Sequence, residues 1–139
     1  MTVSPQVVAR SAAGERALGL AMRRGLLGRC PNCGKGPLFR AYLKVVDACA
    51  VCGEDLRHQR ADDAPPYITM LVVGHIVVGG VLAAEELWPN SPMWVGAIAW
   101  SLLTLALSLL LLPRIKGALV GYQWALRMHG FGGPEDDAP

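Results

Sequence analysis

The sequence predicts a membrane α-helical hairpin of two transmembrane helices, preceded by a small four-cysteine zinc ribbon with short β-structure and followed by a C-terminal interfacial amphipathic helix. Three observations support this fold class. Two long apolar runs follow Pro66, two Cys-x-x-Cys-Gly turns precede them, and the Lys and Arg residues lie outside the runs. The length of 139 residues allows one small domain besides the hairpin.

The four cysteines of the chain form two pairs separated by fifteen residues: Cys30 with Cys33, and Cys49 with Cys52. A two-residue gap lets both thiolates of a pair reach one ion. The glycine after each pair relieves crowding where backbone amides turn toward the sulfurs. Two such turns complete a tetrahedral shell with no open position, so we predict one structural Zn²⁺. Iron held as in a rubredoxin is the alternative.

Each apolar run is long enough to cross a membrane. Residues 67 to 84 carry no formal charge, and extending this run to Trp88 gives 22 residues, roughly 33 Å as a helix. The second run, Met93 to Leu112, contains neither a charge nor a proline. Both runs are too long for strands and show no alternation of polar and apolar residues. We therefore predict two transmembrane helices joined by a short turn.

The distribution of cations predicts the orientation of this hairpin. Ten of the thirteen Lys and Arg residues precede Pro66, three follow Leu112, and the turn between the helices contains none. The positive-inside rule therefore places both termini and the cysteine module in the cytoplasm. Cytoplasmic thiols stay reduced, which favours metal coordination over two disulfides.

Two basic segments flank the ribbon and the hairpin. Residues 15–27 are expected to form a weak basic helix, which either lies on anionic lipid or remains a solvated arm. After Pro113, Ile115, Leu119 and Tyr122 share one face of a segment with three cations, which predicts a separate helix in the membrane interface.

These patterns divide the chain into eight segments: a basic N-terminal arm (1–28), a zinc ribbon (29–58), an acidic proline-containing linker and helix start (59–66), a first transmembrane helix (67–88), a periplasmic turn (89–92), a second transmembrane helix (93–112), an amphipathic interfacial helix (113–130) and an acidic disordered tail (131–139).

Four polar residues near or within the predicted membrane region are candidates for partner or ligand contacts: Asp62, Asp63, His75 and Thr104. Asp63 suits the N-cap of the first helix, but two aspartates exceed what a cap needs, so a partner contact stays open. His75 either hydrogen-bonds across a helix interface, near Thr104 at the same depth, or serves as a ligand for haem or copper. Stripes of small and polar residues around these two side chains are expected to face each other or a third protein.

Several short motifs together resemble a known family. Across Gly25 to Gly132 the chain contains, in order, RCPNCGKGPLFRAYLKV, CAVCGEDL, RADDAPPY, GHIVV and LPRIKGALVGYQWALRMHGF. This order is similar to that of the bacterial membrane proteins filed as domain of unknown function 983. The resemblance implies a location in the bacterial inner membrane. It also implies a role in respiratory-complex assembly, because alphaproteobacterial genes of this family often lie beside those for cytochrome oxidase subunits and assembly factors.

The sequence offers no signature of an enzyme. It contains no Walker loop, no GxSxG and no HExxH, and all four thiolates are committed to one ion. We therefore expect a non-enzymatic accessory protein that contacts membrane lipid and an integral membrane complex, such as cytochrome oxidase or its assembly factors, and no nucleic acid. The alternative is a carrier of metal, haem or electrons that uses the four-cysteine site or His75.

Overall fold

The structure, a computed structural model, describes residues 16–61 and 63–131. Asp62, most of the predicted basic arm and nearly all of the predicted acidic tail lie outside the described residues. The described chain forms, in order, helix α1 (Leu18–Leu26), strands β1 (Phe39–Ala41) and β2 (Lys44–Val45), helices α2 (Ala64–Leu87) and α3 (Met93–Ala125), and one turn of 3₁₀ helix (Met128–Gly130).

Helices α2 and α3 form the hairpin that the sequence predicts. Helix α2 ends at Leu87, and α3 begins at Met93 after the extended residue Pro92. The ring of Trp100 lies against Gly80, where the missing side chain leaves room for the indole. Both helices are long and apolar enough to cross a membrane. In the most apolar 18 residues of each helix, the buried share is only 11% in α2 and 0% in α3.

Helix α3 does not end at Leu112, as the sequence analysis predicts, but continues through Pro113 to Ala125. A proline inside a helix has no N–H to donate to the carbonyl four residues earlier, here that of Leu109. The Tyr42 hydroxyl donates to this carbonyl oxygen at 2.8 Å instead. The separate interfacial helix predicted for residues 113–130 is therefore wrong, since most of this segment continues α3.

Helix α1 packs against the end of α3 through small residues. Ala21 and Gly25 of α1 are buried against Gly117 and Gly121 of α3. A Cβ atom added to Gly25 or Gly117 would collide with the carbonyl group of the other residue. Glycine thus permits a backbone approach that no other residue allows. The sequence predicts lipid contact or a solvated arm for this segment, and the observed helix–helix packing is neither of these.

The hydrophobic core lies where α1, the cysteine module and the end of α3 meet. Its buried members come from these three parts and from the segments just before α2 and just after the 3₁₀ turn: Ala21, Leu38, Leu56, Ala61, Val120, Trp124 and Phe131. We call this packed unit the ribbon end (residues 16–61 and 113–131) and the rest the apolar hairpin (residues 63–112). The final part of α3 buries Val120 and Trp124, and Leu119, on the face predicted to meet lipid, is partly buried against this core, whereas Tyr122 is exposed.

Candidate metal centre

Two nearly identical turns carry the four cysteines. In the first, the Gly34 amide donates to the Cys30 carbonyl at 2.8 Å, and in the second the Gly53 amide donates to the Cys49 carbonyl at 2.9 Å. Both glycines have positive φ angles, +68° for Gly34 and +75° for Gly53, which glycine adopts without strain. The role that the sequence analysis assigns to these glycines agrees with this geometry.

The four sulfur atoms are brought together as one metal site requires. All four lie within 4.8 Å of one another. The Cys30–Cys52 and Cys33–Cys49 sulfur pairs are each separated by 3.7 Å. A tetrahedron with zinc–sulfur bonds of about 2.3 Å has edges of about 3.8 Å, so these two separations match the edges of a four-thiolate zinc site. They are too far apart for disulfides, and all four cysteines are free.

The ligands differ in how readily they ionise. Burial raises the pKa of the Cys30 thiol to about 12. The backbone amides of Gly36 and Lys35 lower the pKa of Cys33 to about 6, and the Lys35 amide lies 3.4 Å from the sulfur. Metal binding needs thiolates, so loading this site releases a proton from Cys30 at neutral pH and is opposed by acid.

Three further residues support the centre, and the sequence analysis did not select them. The guanidinium of Arg24, in α1, donates to the Asn32 carbonyl at 2.7 Å and to the Pro31 carbonyl at 3.2 Å. The Asn32 amide lies 3.6 Å from the Cys52 sulfur. A side chain at Gly36 would collide with the Cys49 sulfur. Of these three residues, only Asn32 could have been selected from the sequence, because it lies between two cysteines. The contacts of the other two depend on the fold.

The cysteine module lies lengthwise along α3. Near the apolar hairpin, Tyr42 reaches Leu109, and farther along the helix the Lys116 ammonium donates to the Leu43 carbonyl at 2.9 Å. At the far end, the Trp124 indole donates to Glu54 at 3.0 Å. Trp124 is twelve residues beyond Leu112, about 18 Å of helix. The second cysteine turn, which adjoins Glu54, is therefore remote from the hairpin, and the β1–β2 turn is next to it.

The other predicted site residues do not join the metal centre. Asp63 occupies the N-cap position of α2, as predicted, although its side chain makes no capping hydrogen bond. His75 Nδ1 bonds the Leu71 carbonyl oxygen at 2.7 Å, and the Thr104 hydroxyl donates to the Trp100 carbonyl at 2.7 Å. Each side chain thus bonds its own helix, so the predicted contact between His75 and Thr104 is not formed.

The stripe of small residues around His75 lies on an uncovered face of α2. His75 and Gly79 are exposed, and an open groove of about 500 Å³ runs along this face, rimmed by Met70, Val78 and Leu82. Gly80, and not Gly79, meets α3. The sequence leaves open whether these stripes face each other or a third protein. Within this chain they do not face each other.

The four-thiolate centre and the apolar hairpin define the class: a small metal-site protein with two helices long and apolar enough to span a membrane. The chain belongs to the family described as protein of unknown function (DUF983), whose profile matches residues 39–124. This match is shorter than the expected range from residue 25 to residue 132 and begins after Cys30 and Cys33. No curated protein and no solved structure matches the chain.

Proposed function

We propose that this protein is a membrane-anchored, zinc-stabilised accessory protein without enzymatic activity. The observation that supports this most directly is a closed four-thiolate site built onto the continuation of an uncovered apolar helix. Four protein ligands leave no coordination position for substrate or water, so the metal stabilises the fold. Cys30, Cys33, Cys49 and Cys52 would hold the ion.

Membrane insertion accounts for the exposed side chains of the apolar hairpin. Large hydrophobic residues such as Leu102, Leu105 and Leu109 are more than half exposed, and lipid is the medium in which such a surface is stable. By the positive-inside rule, the cation distribution supports an orientation in a bacterial inner membrane with the ribbon end in the cytoplasm and the turn at residues 89–92 in the periplasm.

The protein is further proposed to act on a respiratory membrane complex. The family resemblance implies that the protein assists the assembly or stability of a respiratory complex such as cytochrome oxidase. The uncovered groove beside His75 gives the apolar hairpin a surface on which an integral membrane partner would fit. Purification from native membranes with identification of the co-purifying subunits tests this proposal, and recovery of the protein without respiratory subunits or assembly factors contradicts it.

A second candidate function is electron transfer with iron at the same four thiolates. The observation that favours it is the exposure of Cys52, which would give an electron a short path to a partner. Absorbance of the purified protein separates the candidates, because ferric iron on thiolates is coloured and zinc is not.

Two measurements test the main proposal. Metal analysis of protein purified without added metal should give close to one zinc per chain. A reporter that is active only in the periplasm should be silent at either terminus and active when inserted at Asn90. Stoichiometric iron contradicts the zinc assignment, and reporter activity at the C-terminus contradicts the topology.

A further inference from the structure

The β1–β2 turn is the part of the ribbon end that lies closest to the apolar hairpin. Leu38, just before β1, packs close to Gly117 of α3, and Tyr42 reaches Leu109. The eight residues from 117 to 109 span about 12 Å of helix, and four residues of extended chain from 38 to 42 span about 13 Å. The β-hairpin therefore runs along α3 toward the apolar region, and its turn reaches past Pro113.

Tyr42 is suited to a boundary between water and hydrocarbon. Its side chain is 53% exposed, yet its hydroxyl bonds a carbonyl within the apolar part of α3. Because Pro113 has no N–H, the Leu109 carbonyl lacks its usual helical donor. The bond from the Tyr42 hydroxyl therefore satisfies both the hydroxyl and the carbonyl without water. A tyrosine with an exposed ring and a satisfied hydroxyl is typical of the interfacial region of a bilayer.

Cations are found on both strands of this β-hairpin and on the adjoining part of α3. Arg40, Lys44 and Arg114 are exposed, and none of their side chains makes a hydrogen bond or an ion pair within the described part of the chain. Lys116 adds a fourth charge while its ammonium holds the Leu43 carbonyl. The exposed Asp63 at the start of α2 pairs with none of them. The surface next to the apolar hairpin thus has an excess of positive charge.

We propose that the β1–β2 turn binds anionic phospholipid headgroups, with Tyr42 at the bilayer interface and Arg40, Lys44 and Arg114 on the phosphates. This inference rests on the proposed membrane insertion of the hairpin and assigns the lipid contact to the ribbon. Anionic lipid attracts clustered cations, and the aromatic ring fixes the depth at which they lie. The turn would hold the metal centre at a set distance above the membrane.

The experiment uses the full-length zinc-loaded protein in nanodiscs, labelled with 3-fluorotyrosine. The chain has three tyrosines, which are assigned by Tyr→Phe substitution. Lipids with a nitroxide on the headgroup should strongly enhance the ¹⁹F relaxation of Tyr42. They should do the same for Tyr67, which lies in the first turn of α2. Tyr122 lies ten residues beyond Leu112, about 15 Å along α3, and should respond several-fold less.

The anionic preference is measured by comparing nitroxide-labelled phosphatidylglycerol with nitroxide-labelled phosphatidylcholine at equal fraction. We expect the Tyr42 enhancement to be about threefold larger with the anionic lipid, because lipids bearing negative charge collect at clustered cations. The variant Arg40→Gln/Lys44→Gln/Arg114→Gln should bring this ratio near one. Lys35→Gln, which removes an exposed cation beside the metal centre, is the matched control and should keep the wild-type ratio.

The possible outcomes distinguish the lipid-binding turn from the membrane insertion of the hairpin. Enhancement at Tyr67 but not at Tyr42 overturns the lipid-binding turn and leaves the inserted hairpin standing. No enhancement at either tyrosine overturns membrane insertion itself. Enhancement at Tyr42 with a ratio of one in the wild type overturns the anionic preference, whatever the triple variant does. Zinc content of one equivalent in the triple variant verifies that it is folded.

Discussion

The two halves of α3 show how differently the ribbon end and the apolar hairpin are stabilised. Beyond Pro113 the helix buries Val120, Gly121 and Trp124 against α1 and the cysteine module, whereas none of its residues from 93 to 112 is buried. The ribbon end is therefore stabilised by contacts within the chain, and a metal ion on the four thiolates would add to this stability. The apolar hairpin makes few such contacts, so its stability depends on the surroundings that cover it.

Loss of two metal ligands should have a larger effect than any other change, and it should act on the cysteine module without affecting the apolar hairpin. Cys30→Ser together with Cys33→Ser should abolish metal binding and unfold the cysteine module, because apparent binding energies of structural zinc are about 10–16 kcal/mol. Hydrogen exchange measured by mass spectrometry should rise throughout residues 29–58 and stay unchanged in the apolar hairpin. Ala48→Ser, an exposed change beside Cys49, is the control. Equal loss of protection in both regions would show that the hairpin depends on the metal centre.

The second effect compares two glycines in helices. Gly121→Ala should destabilise the ribbon end by about 1–3 kcal/mol, because the added methyl group meets the backbone of Ala21 and Met22. Gly79→Ala, at a position with no neighbour within 4 Å, should leave stability unchanged or raise it by up to about 1 kcal/mol. Denaturant unfolding of the two variants checks this difference. Equal effects at both positions would contradict the close packing of α1.

A smaller effect tests the bond that joins the two regions at Pro113. Tyr42→Phe should cost about 1 kcal/mol in the free energy of unfolding, because it leaves the Leu109 carbonyl without a donor. Tyr67→Phe removes a hydroxyl with no hydrogen bond in the described chain and should be neutral.

A double-mutant cycle with Pro113→Ala makes the test specific. Alanine restores the backbone N–H, which can bond Leu109 within the helix, so Tyr42→Phe should then cost close to nothing. An unchanged cost in the alanine background would show that the tyrosine stabilises the protein in another way.

The smallest expected effect concerns an ion pair at the ribbon surface. Hydrogen bonds from Arg57 lower the pKa of Asp55 to about 2. Because the folded-state pKa lies below the unfolded value, this contribution to stability is complete above pH 4 and is lost as the pH falls toward 2. The pair is largely exposed, so the loss should be small. NMR titration should show the low pKa of Asp55 in the wild type and a higher one in Arg57→Gln, which loses the guanidinium but keeps the backbone hydrogen bond from residue 57.

Local composition and spacing are enough to predict several features of this fold. Two cysteine turns with glycine after each pair need only their own residues to present four thiolates, and the structure brings these sulfurs together. Helical segments from 64 to 87 and from 93 onward follow from apolar length alone. The β-hairpin between the cysteine pairs is likewise local, with its turn at Tyr42 and Leu43.

The packing of α1 and of the end of α3 depends on contacts between segments that are far apart in the sequence. A proline after a long apolar run is an ordinary signal for a helix end, but α3 continues through Pro113, where Tyr42, 71 residues earlier, supplies a hydrogen bond to the Leu109 carbonyl. The small residues of α1 and α3 have meaning only as a pair, since Gly25 and Gly117 are 92 positions apart. Hydrogen-bond replacement and close backbone approach are properties of two surfaces, and neither is visible in the periodicity of one segment.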